Sequence, residues 1–152
     1  TRLDRMFDEG LYWHGNEPCH QIAYLYNKAG APWKTQQRIH HILNTEYNDT
    51  PGGLSGNDDA GQMSAWYMFS AIGFYPVCPA TPYYYIGTPS FDKVTFNLEN
   101  GRKFEIVAEG VDDENFYIQQ VDLNGKSGYY LSHDDLLKGG KLSFRMGNSP
   151  KY

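Results

Sequence analysis

Residues 61–87 read "GQMSAWYMFSAIGFYPVCPATPYYYIG", and the fold turns on where this run changes its period. As far as Ile72 it reads as a helix beginning near Ala60. Only Gln62, Ser64 and Ser70 interrupt its apolar and aromatic residues, and Gly73 and Pro76 end it. From Tyr83 onward apolar residues recur at period two. The segment "PVCPATP", residues 76–82, is therefore the boundary of an α+β chain, helices first and strands after. A helix apolar on nearly every side is buried on most of them. The helices of this sequence are too few for that, so further helices are expected outside it.

Working back from this run, Pro18 suits the first turn of a helix capped by Asn16 or Glu17. Ile22, Leu25, Tyr26 and Ala29 share one face, and Gly30 closes it. Pro32 starts another helix, with Trp33, Ile39, Ile42, Leu43 and Tyr47 roughly on one side. "NTEYNDTPGGLSGNDD", residues 44–59, is a long loop. Working forward, "YYYIG", "KVTFNL", "KFEIVAEG", "FYIQQVDL", "GYYLS" and "KLSFRMG" read as short strands. Val94/Phe96/Leu98 and Phe104/Ile106/Ala108 give alternating faces of a β-sandwich. Asn124-Gly125 carries the strongest hairpin signal, and "HDDLLKGG" reads as a turn or a single helical turn between the last two strands.

Of the 152 residues, 40% are hydrophobic and 20% charged, the balance of a core-forming chain. Thirteen basic and eighteen acidic residues give a net charge of −5, and no basic cluster is present, which argues against a nucleic-acid partner. No apolar run reaches membrane-spanning length. Aromatic residues reach 16%, with 13 Tyr and 3 Trp. Flat apolar faces with polar tips suit neutral sugars, and they suit a Tyr-rich core equally. Cys19 and Cys78 have no metal-ligand spacing. The opening "TRLDRMF", without an initiator Met, raises the expectation of a processed protein or a piece of a longer one. Asn48-Asp49-Thr50 is a sequon in the loop.

Two stretches concentrate chemistry. In "HGNEPCHQ", residues 14–21, Asn16 and Glu17 offer hard oxygen donors of the kind Ca²⁺ takes, or simply cap a helix. In "GNDDAGQ", residues 56–62, one aspartate is either a helix cap or an ionised general base at the tip of a Gly-rich loop. His40-His41 point in different directions on a helix and make no ligand pair. His133-Asp134-Asp135 reads as a turn cap, and Cys19-His20 lacks the setting of a thiol nucleophile.

Taken together, "GNEPCHQIAYLYNKAGAPWKTQQRI", "GLSGNDDAGQMSAWYMFSAIGFYPV" and "YIGTPSFDKVTF", with "YIQQVDLNGK" and "GGKLSFRMG" after them, resemble glycoside hydrolase family 92. The resemblance implies a calcium-dependent, inverting α-mannosidase that acts on mannose-containing N-glycans, in many members at α-1,2 linkages. It implies that residues 1–76 are the last helices of an (α/α)₆ barrel and residues 77–152 antiparallel strands of a β-sandwich. By the same resemblance Asn16 and Glu17 help hold Ca²⁺, and Asp59 is the general base. Asn57 and Asp58 flank it, Asn57 where some members carry an acidic residue. Trp13, His14, Gln62 and Trp66 are candidate sugar contacts. The family's general acid, a Glu earlier in the barrel, lies outside this sequence, so the isolated chain is expected to be inactive.

The partners implied are a mannose-containing glycan and the rest of a parent chain, with no membrane. The fragment's uncovered helical face is a candidate surface for self-association. The parent is expected to be secreted or periplasmic. The rival reading is a non-catalytic sugar-binding or structural β-sandwich module using Tyr83–Tyr85 or Tyr129–Tyr130.

Overall fold

The computed structural model describes residues 1–125 and 129–151. Its helices are α1 (Arg2–Asp8), α2 (Leu25–Lys28), α3 (Pro32–Thr45), α4 (Gln62–Ile72) and α5 (His133–Leu137). Its strands are β1 (Phe74–Tyr75), β2 (Tyr83–Ile86), β3 (Lys93–Asn97), β4 (Lys103–Glu109), β5 (Tyr117–Leu123), β6 (Tyr130–Ser132) and β7 (Gly140–Gly147). They form one three-stranded sheet, β1-β2-β6, and one four-stranded sheet, β3-β4-β7-β5.

The three-stranded sheet is the middle layer. Phe74 pairs with Ile86, and both face a core shared with Phe104, Ile106, Leu142 and Phe144 of the larger sheet. Their neighbours Tyr75 and Tyr85, also paired, face the opposite way, into a second core with Ile39, Ile42 and Trp66. Alternation along two short strands thus joins helices and sheets. Gln36 of α3 adds a direct link, its Oε1 accepting from the Ile118 amide at 2.9 Å. That bond falls at the irregular register between Ile118 and Gln120 of β5.

Four expectations need correction. The stretch from Pro18 to Ala29 is no continuous helix but two 3₁₀ turns, Glu17–Cys19 and Ile22–Tyr24, followed by α2. The His20 carbonyl, which a continuous helix would offer to Tyr24, accepts instead from Trp66 Nε1 at 2.9 Å. The Tyr24 amide turns to the Gln21 carbonyl. Second, the strands are not all antiparallel, since β4 and β7 run parallel. Third, Asn124-Gly125 joins no hairpin. Both residues have positive φ, at 49° and 85°, but β5 pairs with β7 while β6 pairs with β2. Asn124 is tied to β7 instead, donating its amide to the Lys141 carbonyl and accepting the Lys141 amide on Oδ1. Fourth, Phe74 and Tyr75, counted with the helical part ahead of the boundary at 76–82, form strand β1 directly after Gly73.

Gly128 of "GYYLS" and Lys126 of "YIQQVDLNGK" lie outside the described residues. Helix α4 buries Met63, Trp66, Ala71 and Ile72 but leaves Met68 57% exposed and Tyr67 exposed beside it. Among the described residues no helix is long and apolar enough to cross a membrane.

Candidate functional site

The loop of residues 13–17 crosses the loop of residues 54–59 at two glycines. A β-carbon on Gly56 would stand 2.5 Å from the Gly15 carbonyl oxygen, and one on Gly15 would stand 2.7 Å from the Ser55 carbonyl oxygen. Only glycine permits this approach. The crossing brings "GNEP" and "GNDD" together, some forty residues apart in sequence, as neighbouring surface loops.

The adjacent aspartates divide the work. Asp58 Oδ1 accepts from the Ser64 amide at 2.9 Å and from Ser64 Oγ at 2.8 Å. The Asp58 main-chain carbonyl accepts from the Gly61 and Met63 amides. Asp58 therefore satisfies the exposed donors at the start of α4. The Asp59 side chain is exposed, and its backbone sits at φ 48°, followed by Ala60 at 58° and Gly61 at 99°. Two successive non-glycine residues in the left-handed region cost on the order of 1–3 kcal/mol each, and such strain gathers at working sites. Asn57 is exposed beside them.

Across the crossing, Asn16 and Glu17 are exposed on the first 3₁₀ turn. Asn16 Nδ2 points at Cys19 Sγ, 3.8 Å away, which leaves its oxygen unengaged among the described residues. The Glu17 carboxylate has no ion pair or hydrogen bond there. Two hard oxygen donors side by side fit calcium in kind and supply part of the six to eight it takes. No group of three His, Cys, Asp or Glu that could hold a metal occurs among the described residues. Trp13 is 55% exposed at the edge of the same loop.

Two expected sugar contacts are corrected. His14 and Trp66 are fully buried, so neither presents a surface to a ligand. Tyr47 Oη donates to the Met63 carbonyl at 3.1 Å, so it accepts from His14 Nε2 at 2.6 Å. His14 Nδ1 then accepts from Tyr12 Oη at 2.7 Å. Burial, with His20 as a lesser cause, pushes the His14 pKa down to about 3 and keeps the ring neutral. Trp66 lies edge-on to His14, with ring centroids 4.2 Å apart. These rings form the spine beneath the loops.

Above the spine lies a cleft of ≈ 400 Å³ that Glu17, His20, Gln62 and Tyr75 help to line. Gln62 Nε2 is 3.3 Å from His20 Nδ1 and donates to Tyr75 Oη at 3.0 Å. Burial lowers the pKa of His20. The His14 carbonyl and the charges of Glu17 and Asp59, from opposite loops, act against that shift. His20 thus stands between the two loops. Sequence reading picked out Gln62 but not Tyr75, which looked like the tail of a helix, and it dismissed His20 as a partner for Cys19.

Residues 1–148 match the family model described as the glycosyl hydrolase family 92 catalytic domain, and the chain belongs to that family. It is similar to the family GH92 α-mannosidase BT3965 from Bacteroides thetaiotaomicron, with 47% identity and a TM-score of 0.93 over 99% of this chain and 22% of that one. The GH92 inverting mannosidase BT2199 from the same organism is 44% identical, with a TM-score of 0.86 over 94% of this chain and 20% of that one. An uncharacterized secreted glycosidase of Arthroderma benhamiae is 34% identical over 97% of this chain and 20% of its own length. The chain thus spans about a fifth of the length of these relatives.

Proposed function

We propose that this chain is the C-terminal part of an exo-acting α-mannosidase that cleaves α-1,2-linked mannose from N-glycans with inversion and with Ca²⁺. The observation that carries this reading is the crossing at Gly15 and Gly56, which brings the loop of the strained, exposed Asp59 against the loop of Asn16 and Glu17. The mannosidase relatives support it, one of them described as inverting. Asp59 is the general base that takes a proton from the attacking water. A Glu supplied by another part of the parent protonates the leaving oxygen, with the two carboxyl groups about 6.5–9.5 Å apart to admit that water. Asp58 caps the helix that follows Asp59, and Asn57 flanks the pair without charge.

Asn16 and Glu17 are the residues that would hold Ca²⁺. Bound there, the ion supplies positive charge and positions sugar hydroxyls. Residues 1–76 would complete an (α/α)₆ barrel and residues 77–152 return to a β-sandwich. Barrel neighbours would then cover Tyr67 and Met68. The parent would be secreted or periplasmic, in keeping with a relative described as a secreted glycosidase.

The experiment is hydrolysis of an α-mannoside by the full-length protein, with the first-formed anomer read by proton NMR. β-Mannose and a calcium requirement are expected. α-Mannose as the first product overturns the single-displacement reading. Turnover by the isolated chain at the full-length rate overturns its assignment as an incomplete site.

A second reading, a sugar-binding face, is favoured by one cluster. Tyr83 and Tyr130 are each about half exposed around Tyr85, and the Tyr85 and Tyr130 rings are 5.0 Å apart. Titrating the isolated chain with mannose without metal separates the two, because such a face binds sugar on its own.

A further inference from the structure

The hydrogen-bond chain at the base of the cleft has a direction that can be read atom by atom. His20 Nε2 lies 3.1 Å from the His14 carbonyl oxygen, which can only accept, so this nitrogen carries the ring proton. The ring is buried, and both of its nitrogens face neutral groups, a main-chain carbonyl and a side-chain amide, so it is the uncharged ring that fits. In the neutral ring Nδ1 is a bare acceptor, and whatever faces it must donate. That fixes the Gln62 amide with its NH₂ toward His20. The second N–H goes to Tyr75 Oη, which therefore accepts.

Both N–H groups of Gln62 are then used, and two capacities remain. Gln62 Oε1 and the Tyr75 hydroxyl proton have no partner among the described residues, and both side chains line the cleft. Burial raises the Tyr75 pKa, so the phenol keeps that proton. One acceptor and one donor side by side match an alcohol, which gives one hydrogen bond and takes another. A carboxylate would meet the Gln62 oxygen and the Glu17 charge, and an ammonium group could not accept from Tyr75.

We propose that His20 is a positioning residue whose tautomer turns the Gln62 amide, so that Gln62 Oε1 and the Tyr75 O–H hold one hydroxyl group of a neutral sugar in the cleft. The identity of that sugar as mannose rests on the mannosidase reading, whereas the polarity of the pair does not.

Two measurements test it. In the ¹⁵N-labelled chain, His20 should show the neutral Nε2–H tautomer by NMR; the Nδ1–H tautomer overturns the proposal. In the full-length enzyme, methyl α-mannoside and its monodeoxy derivatives serve as competitive inhibitors. One derivative should bind wild type about tenfold more weakly than methyl α-mannoside, the size of one or two neutral hydrogen bonds. In Tyr75→Phe that difference should largely vanish.

His20→Asn keeps an acceptor where Nδ1 stands and should hold KM within about threefold of wild type. His20→Leu should raise KM about tenfold with kcat little changed. Equal impairment of the two His20 variants, or a wild type indifferent to every deoxy position, overturns the proposal. A full-length protein without α-mannoside turnover would remove the mannosidase reading alone, because the tautomer measurement needs no activity.

Discussion

Gly15 and Gly56 meet backbone against backbone, so close that a β-carbon on Gly56 would stand 2.5 Å from the Gly15 oxygen and 2.7 Å from its Cα. At Gly56 every atom in the way is main chain, and at Gly15 the obstacles are the Trp13 ring and the Ser55 carbonyl oxygen, so neither loop moves aside cheaply. A single methyl group at either position should therefore part the two loops. Gly56→Ala is expected to lower stability by about 1–3 kcal/mol, the usual cost of overpacking. For a chain of this size each kcal/mol corresponds to roughly 2–4 °C in Tm. Calorimetry of the chain checks it, and an unchanged Tm would show that the crossing is slack.

The neighbouring aspartates should respond oppositely to substitution. Asp58→Ala removes the acceptor for the Ser64 amide and hydroxyl and should cost about 1 kcal/mol of stability, as lost helix caps do. Asp59→Gly replaces a residue held at φ 48° by one that adopts it freely, and should leave stability unchanged or raise it by up to about 1 kcal/mol. In the full-length protein Asp59→Gly and Asp59→Asn should both abolish turnover. Urea unfolding alongside a mannoside assay separates the two roles; a destabilised Asp59→Gly contradicts the strain argument.

Acid sensitivity should come from the buried spine. The folded-state pKa of His14 is pushed down to about 3, well below the ordinary histidine value of 6.5. The unfolded chain therefore binds a proton that the folded chain refuses. Its contribution is fully present above about pH 6.5 and is lost progressively as pH falls toward 3. His20, also lowered, adds in the same sense. Urea midpoints at pH 7 and pH 4.5 should differ less for His14→Gln than for wild type. An identical pH dependence in both would assign the acid limb to other groups.

Calcium removal should distinguish the two loops. Chelation of the full-length enzyme is expected to suppress turnover, with recovery on adding Ca²⁺. Glu17→Gln should raise the calcium concentration needed, and Asp59→Asn should leave calcium affinity near wild type while remaining inactive. Isothermal titration with Ca²⁺ checks both. Equal weakening by the two substitutions would mean that Asp59 belongs to the ion rather than to the water.

Where the chain follows one period over several residues, sequence was enough. The alternation of Phe104, Ile106 and Ala108 marked the inward face of β4, and all three are buried. β1 escaped because two residues, Phe74 and Tyr75, have no period to read. The break between Cys19 and Leu25 escaped because its cause is distant: Trp66 takes the carbonyl that a helix would have used. Asn124-Gly125 carried the right local conformation, both residues at positive φ, but the wrong partner, since register is settled by Lys141.

At the candidate site, residue types were legible and burial was not. His14 and Trp66 have the chemistry of sugar contacts and became a sealed spine. The tautomer of His20 depends on a backbone oxygen six residues away, which no motif encodes.

The parallel pairing of β4 with β7 has a temporal side. β7 sits between β4 and β5 in the larger sheet, yet among the described strands it comes last along the chain. Until it emerges, β4 and β5 have edges with nothing between them, and the core of Phe104, Ile118 and Phe144 lacks its middle. On the ribosome the helical half, with its local contacts, can form while this sheet still waits. A stalled or clipped chain that ends before Gly140 would expose two unpaired strand edges at once, an aggregation template the finished chain hides.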